Sequence, residues 1–147
     1  MAVMAAIKTA KKKTAPTRES AKRDLAPVFA ALRQILEKVD DELAVQTDRR
    51  GNFHLEIPSI VHRGKPLYFA GIRTGKNYVS FYLMSVYYTP ALLKSMSPAL
   101  KKRMQGKACF NFSSVDPECF AELKRLAAEG VKKFKSEEFR QSIQRMQ

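Results

Sequence analysis

The sequence has two histidines and two cysteines, the residue types most often used as zinc ligands and in Cys-His nucleophiles: His54, His62, Cys109 and Cys119. Their spacing matches no common zinc pattern, in which pairs of ligands lie a few residues apart. Both cysteines have phenylalanine neighbours, and an apolar setting raises the pKa of a thiol where catalysis needs it lowered. We therefore expect surface histidines and reduced core thiols, and no metal site.

The motifs of several enzyme classes are missing from the sequence. It has no G-x-S-x-G, no Walker-type phosphate loop, no G-x-G-x-x-G and no paired Cys-x-x-Cys. Nucleophilic hydrolases, phosphate-loop enzymes, dinucleotide enzymes and zinc ribbons therefore lack their usual support. The sequence indicates no catalytic residue and no cofactor, and it favours a binding module over an enzyme.

Aromatic side chains concentrate between Gly75 and Phe112, which hold seven of the fourteen Phe and Tyr residues. Within it, residues 77–86 are predicted to be a strand, whose side chains alternate between two faces, and neither face is strongly polar. The less apolar face, together with a tyrosine from the preceding strand and one from the following insert, predicts a cleft between the sheet and residues 87–96 for a small ligand or a protein partner. The candidate ligand-binding residues are Tyr68, Tyr78, Tyr82, Met84 and Tyr87. The alternative is that these side chains fill a second packed layer beneath helices.

Positive charge supports a second interpretation. The chain has a formal net charge of +13, of which residues 1–23 contribute +6. Such a surface attracts nucleic-acid phosphates, so weak, charge-driven nucleic-acid binding is the alternative function. The other explanation of the charge is a basic surface that is only solvated and binds no nucleic acid. The candidate nucleic-acid-binding residues are Lys11, Lys12, Lys13, Lys101, Lys102, Arg103, Lys107, Lys124 and Arg125.

These candidates need elements to position them, and the first is a helix. Apolar residues recur at three- and four-residue steps from Leu25 to Val39, which is typical of an amphipathic helix, and Asp24 is suited to cap it. Three Gly-containing turns then separate short segments rich in β-branched and aromatic residues. The spacing predicts an antiparallel meander over residues 43–49, 52–61, 66–73 and 77–86.

The second half of the chain is predicted to form two short helices, a strand and two further helices. Thr89-Pro90 and Ser97-Pro98 each place a capping hydroxyl before a proline, which predicts two short helices as an insert. Alternation over residues 107–112 predicts a fifth strand. Asp116-Pro117 predicts the start of a long helix, and Ser136 that of a last short one.

Together these elements predict one α+β domain over residues 24–147, with a five-stranded, mainly antiparallel sheet, preceded by a flexible basic arm at 1–23. No apolar run approaches the roughly 20 residues of a membrane helix. The start of the chain, with apolar residues before lysines, reverses the order of a secretory signal peptide. We expect a bacterial cytoplasmic protein with no membrane partner.

Three segments carry a family resemblance: GKNYVSFYLMSVY, LKKRMQGKACFNF and VDPECFAELKRLAAEGVKKF. With them, the chain resembles the YdhG-like domain-of-unknown-function family of small bacterial α+β proteins, over roughly residues 25–139. The resemblance implies an opening helix, a central antiparallel sheet, a helical insert before the last strand and a closing helix. These matches concern organisation, so they imply a fold and no activity.

One branch of the YdhG-like family is described as frataxin-like intracellular iron chaperones, so the resemblance implies iron binding as a second alternative function. Ferric iron prefers oxygen ligands. The local acidic group of this chain, at the end of the opening helix, consists of Glu37, Asp40, Asp41 and Glu42. The same acids also suit a solvated helix end.

Overall fold

The computed structural model describes residues 25–146. The arm predicted at residues 1–23, its lysines and the capping role predicted for Asp24 lie outside the described residues. The elements, in chain order, are α1 (Leu25–Glu37), β1 (Ala44–Arg49), β2 (Asn52–His62), β3 (Lys65–Thr74), β4 (Val79–Leu83), α2 (Met84–Tyr88), α3 (Ala91–Lys94), α4 (Pro98–Lys101), β5 (Cys109–Phe112), α5 (Pro117–Phe134) and α6 (Glu137–Arg145).

Within residues 25–146, five strands form one antiparallel sheet in the order β1-β2-β3-β4-β5. This is a meander, and it confirms the predicted α+β class. Short turns make it possible: between β2 and β3, Arg63 and Gly64 both have positive φ, of 54° and 80°. Two consecutive positive φ values are those of a type I′ turn, whose twist matches the twist of paired strands.

Helices cover one face of this sheet. The covered face carries a row of paired residues that runs across four strands, Phe53, Ile72, Phe81 and Phe110, all nearly or completely buried. Helix α1 packs on β3 and β4, and α5 packs on α1 and α2. The apolar stripes of these helices complete the hydrophobic core, because helix periodicity gathers their apolar side chains on the face toward the sheet. Polar residues on the other face of the sheet therefore remain outside this core.

An ionic cluster fixes α1 to the edge strand β1. Arg33 donates two hydrogen bonds to the Asp48 carboxylate, at 2.8 and 2.9 Å, and a third to Glu37 at 2.9 Å. Its guanidinium also lies 4.3 Å from the centre of the Phe53 ring. A bidentate pair of this kind sets orientation as well as distance. Strand β1 therefore has a defined position at the edge of the sheet.

The strand predicted over 77–86 is wrong at its end. Strand β4 stops at Leu83, and Met84 begins helix α2. The reason is packing: Ser85 is completely buried against Gly130 of α5, where a side-chain carbon would overlap the Ser85 hydroxyl. The chain turns into the helical layer to make this contact.

Of the four predicted caps that lie within residues 25–146, three are confirmed. The side chains of Ser97, Asp116 and Ser136 each accept a hydrogen bond from a backbone N–H three residues later, at 3.1 Å. The cap predicted at Thr89 is wrong, since α3 begins after Pro90 and no side chain caps it. Two short helices in the insert were predicted, and α3 and α4 follow the additional helix α2.

Candidate functional site

The face of the sheet opposite the helices, called the open face below, presents two rows of paired residues. Partners in an antiparallel pair point to the same side of the sheet, so the strand register defines each row. The first row runs from β1 to β5 through Arg49, Asn52, Arg73, Ser80 and Asn111. The second row runs through Thr47, His54, Gly71, Tyr82 and Cys109. Every member with a side chain is therefore brought to one surface.

Two irregularities in the register adjust this surface. In β1 the pairing shifts between Val45 and Thr47, which leaves Gln46 as an extra residue. In β3 the pairing shifts so that Phe69 is extra, and Tyr68 pairs with Glu56. A bulge of this kind re-aims neighbouring side chains. It allows Phe69 to be completely buried in the core while Tyr68 belongs to the open face.

Gly71 makes room for the central contact of the open face. Nδ1 of His54 and Oη of Tyr68 lie 2.7 Å apart, directly above this glycine. A side-chain carbon at position 71 would overlap both atoms. The two rings are 5.6 Å apart, centre to centre, and tilted by 40°. The missing side chain of Gly71 therefore lets a histidine and a tyrosine form a hydrogen-bonded pair close to the backbone.

The protons of this pair follow from its surroundings. Burial, and then the phenol of Tyr82, raises the pKa of Tyr68, so Tyr68 remains protonated. Burial, and then the charges of Arg73 and Arg49, lowers the pKa of His54, so its ring is neutral at pH 7. The carbonyl oxygen of Asn52 near Nε2 favours the tautomer with the proton on Nε2, in which Nδ1 accepts the hydrogen bond from Tyr68. That Nε2 lies 3.4 Å from Oδ1 of Asn52.

A second polar network lies at the β5 side of the open face. The Ser80 hydroxyl donates to Oδ1 of Asn111 at 2.7 Å, and the Asn111 amide donates to Gln105 at 2.8 Å. The Cys109 thiol lies 3.5 Å from the same Oδ1. Burial raises the pKa of Cys109 and outweighs the opposing effect of hydrogen bonds from Ser80 and Tyr82. This thiol is therefore not activated as a nucleophile.

A cleft of about 590 Å³ opens on the β1 side of this face. All of its lining residues belong to strands: Gln46, Thr47, Arg49, Asn52, His54, Tyr68, Arg73 and Tyr82. The lining has two guanidinium groups and no carboxylate. Among residues 25–146, neither Arg49 nor Arg73 has an acidic partner within 4.0 Å. The cleft is therefore positively charged. Its other lining groups are amides, hydroxyls and aromatic rings.

The five candidate ligand-binding residues do not meet in one place. Tyr68 and Tyr82 line the cleft on the open face, away from the insert. Tyr78 lies outside the strands, in the β3–β4 turn, and its side chain is 39% exposed. Tyr87 lies on α2 and is 49% exposed, with its ring against Tyr88 and near the Lys107 ammonium group.

Met84, the remaining candidate, packs against the hydrophobic core. The predicted position of the cleft, between the sheet and residues 87–96, needs correction. Because the insert packs with α5 in the helical layer, it does not face the side of the sheet that carries Tyr68 and Tyr82. The cleft that contains these two tyrosines is formed by strands alone.

The described candidates for nucleic-acid binding divide into two groups. Arg103 forms an ion pair with Asp116 at 3.5 Å, and Arg125 forms one with Glu129 at 3.0 Å. The exposed lysines of the set are Lys101, Lys102, Lys107 and Lys124. The two arginines are thus partly neutralised, and none of the set lines the cleft.

Three of the four acids considered for iron binding, Glu37, Asp40 and Glu42, lie in ion pairs with Arg33 or Lys135. Asp40 accepts a hydrogen bond from Lys135 at 2.7 Å, which lowers the pKa of Asp40, and Glu42 lies 3.5 Å from the same ammonium group. Over the described range, no three or more His, Cys, Asp or Glu residues gather in a way that would hold a metal ion. Asp40 and Glu42 instead join the end of α1 to the end of α5.

Sequence reasoning missed Arg49, Arg73 and Gly71 and treated His54 as a surface residue. One signal was present: Asn52, His54 and Glu56 alternate with apolar residues, which indicates a polar sheet face. Both arginines border Gly-containing turns, where a charged side chain has an ordinary structural explanation. Only the pairing register brings these residues together.

Comparison of this chain with protein-family models, curated proteins and solved structures found no match. The YdhG-like resemblance therefore remains a prediction. Within residues 25–146, no helix combines the length and apolar character needed to cross a membrane.

Proposed function

We propose that this protein is a non-enzymatic binding module that holds a small anionic ligand in the cleft of the open face. The observation that carries the proposal is the pair of arginines, Arg49 and Arg73, which flank the neutral His54 without an acidic partner among the described residues. Guanidinium groups are well suited to carboxylates and phosphates, since their donors match the geometry of these anions.

The other lining groups suit the same ligand. The oxygen of Asn52 faces Nε2 of His54, which leaves the Asn52 NH₂ group as a donor in the same row as both arginines. Neutral donors beside two positive charges add hydrogen bonds without a repulsive carboxylate. Tyr82 provides an aromatic wall. This combination of a few polar groups and an aromatic wall is typical of small-molecule sites.

We propose further that the domain belongs to the YdhG-like family. The support is the order of elements: opening helix, antiparallel sheet, helical insert, last strand and closing helices, over the span of the resemblance. Iron binding is not part of the proposal, because Asp40 and Glu42 interact with Lys135. Nucleic-acid binding through the surface lysines remains a competing function, and the experiments below separate it from binding in the cleft.

The test is an anion titration followed by two-dimensional amide NMR. The probes are inorganic phosphate, phenyl phosphate and benzoate, and we expect at least one to shift amides of residues 46–54, 68–73 and 82. Arg73→Gln should weaken that binding about tenfold or more, since a charge-assisted hydrogen bond is lost. The matched control is Arg50→Gln, which removes an exposed arginine next to the cleft but outside its lining.

Two results would overturn the proposal. One is the absence of binding by all three anions. The other is binding that Arg73→Gln and Arg50→Gln weaken equally, since only net charge would then matter.

A further inference from the structure

The two rows of the open face carry different chemistry at a fixed separation. Arg49, Asn52 and Arg73 in the first row supply charged and amide donors, whereas His54 and Tyr82 in the second row supply rings. Arg73 and Gly71 are two residues apart on β3, and two residues of a strand span about 7 Å. A ligand that contacts both rows therefore needs an anionic group and a planar group about this far apart.

Three rings gather in the second part of this cleft. His54 and Tyr68 are joined above Gly71, and Tyr82 pairs with Gly71 from the neighbouring strand. All three rings line the cleft. Because the His54–Tyr68 contact fixes two of these rings, little rotational freedom would be lost when a planar group binds against them. This arrangement favours stacking of a flat aromatic ring, which is attracted to aromatic faces.

The remaining lining groups suit the edge of a heterocycle. Gln46, on the β1 bulge, is exposed at the cleft, and Thr47 lies opposite His54. An amide offers both donors and acceptors, and a hydroxyl can act as either. Such groups can pair with the ring nitrogens and exocyclic groups of a nucleobase.

We infer that the ligand of this cleft is a nucleoside monophosphate, with its phosphate at Arg49 and Arg73 and its base against Tyr82 and the His54–Tyr68 pair. The inference rests on the proposed anion-binding function and names the class of ligand. In such a molecule one pentose separates the phosphate from the base, which agrees with the separation of the two rows. The cleft has a volume of about 590 Å³ and is open to solvent over much of its extent, so a bound mononucleotide would stay partly exposed.

The number of cations favours one phosphate over a nucleic-acid strand. Two cationic side chains line the cleft, and they lie two strand spacings apart with Asn52 between them. Proteins that bind single strands use a longer positive groove that follows successive phosphates. A free mononucleotide is therefore the occupant that this cleft fits best.

Calorimetric titration of the full chain tests the inference with three probes: adenosine 5′-monophosphate, ribose 5-phosphate and adenosine. We expect adenosine 5′-monophosphate to bind about tenfold or more tightly than ribose 5-phosphate, the difference that base stacking supplies. Adenosine should bind more weakly than the monophosphate, because it lacks the anion.

Variants of Tyr82 identify the stacking group. Tyr82→Leu should remove most of the preference for adenosine 5′-monophosphate over ribose 5-phosphate, whereas Tyr82→Phe should keep it, since the ring remains. The control is Tyr87→Leu, because Tyr87 is exposed on α2 and lies outside the cleft. If Tyr82→Leu fails to fold, the comparison of adenosine 5′-monophosphate with ribose 5-phosphate in the unchanged chain still decides the inference.

The outcomes separate the inference from the proposed function. Equal affinity for adenosine 5′-monophosphate and ribose 5-phosphate would overturn the inference and leave anion binding intact. An eight-nucleotide single strand that binds at least tenfold more tightly than the mononucleotide would also overturn it, in favour of nucleic acid. If phenyl phosphate binds but adenosine 5′-monophosphate does not, the inference alone fails. If no anion binds, the proposed function fails with it.

Discussion

At the scale of single residues, the cleft depends on a side chain that is missing. Gly71 has an ordinary negative φ, so its backbone does not require glycine. The requirement is space: His54 and Tyr68 meet where a side chain at position 71 would lie. The glycine, the histidine and the tyrosine thus form one unit, and burial, followed by the charges of Arg73 and Arg49, lowers the pKa of its histidine.

The protonation of His54 gives a prediction at this scale. Its folded pKa lies below the usual value of about 6.5, through burial first and then through Arg73 and Arg49. The unfolded chain therefore binds more protons in the window below about pH 6.5. The contribution of His54 to stability is present above that pH and is lost as the pH falls through the folded pKa.

We expect NMR titration to place the pKa of His54 below 6.5 in the native protein. Arg73→Gln should move it upward, because a repelling charge is removed, whereas Arg50→Gln should leave it nearly unchanged. Protonation also places a hydrogen on Nδ1, so Tyr68 can no longer donate to it. If Arg73→Gln left the His54 titration unchanged, the electrostatic account of the cleft would be wrong.

At the scale of elements, alternation located all five strands to within two residues, except for the end of β4, which lies three residues before the predicted end. Alternation reports which residues share a face, but it does not report where a strand leaves its sheet. For β4 that point is decided by the contact of Ser85 with Gly130, which is distant in sequence. The same limit applies to the cleft, since the bulges at Gln46 and Phe69 that align its rows leave no mark in the sequence.

The insert provides a matched test at the element scale. Thr89-Pro90 and Ser97-Pro98 are similar in sequence, but only Ser97 caps a helix. The hydroxyl of Ser97 accepts from the N–H of Leu100 at 3.1 Å and donates to Glu122 of α5 at 2.7 Å. Its backbone N–H donates to the other oxygen of Glu122 at 2.7 Å. Ser97 therefore joins α4 to the long helix.

Ser97→Ala should lower the free energy of unfolding by roughly 1 to 3 kcal/mol, because it removes both the helix cap and the hydrogen bond to Glu122. Thr89→Ala should cost less than half of that, because its hydroxyl caps no helix. Urea denaturation of both variants measures the difference. Equal losses of stability in the two variants would contradict the assignment of Ser97 as the cap. A loss in Thr89→Ala alone would mean that Thr89 is the cap instead.

At the scale of the whole molecule, most of the positively charged residues lie outside the cleft. Residues 1–23 hold +6 of the net charge of +13. The cleft has two arginines, and the exposed lysines of the described nucleic-acid candidates lie outside its lining. Binding driven by many lysines releases counterions and weakens steeply as salt rises. Binding in a cleft with two cations should depend less on salt.

This separation is tested in the full chain by the triple change of Lys11, Lys12 and Lys13 to Gln. We expect weaker binding to single-stranded DNA at low salt and a shallower salt dependence, while affinity for phenyl phosphate stays within about twofold. A control with the same charge change uses Gln at Lys65, Lys76 and Lys94, which are exposed on the domain. If the arm is the nucleic-acid contact, the control should retain more DNA affinity than the arm variant. An equal loss of DNA affinity in both triple variants would show that net charge alone drives DNA binding. A parallel loss of phenyl phosphate affinity in the arm variant would show that the cleft and the arm act together.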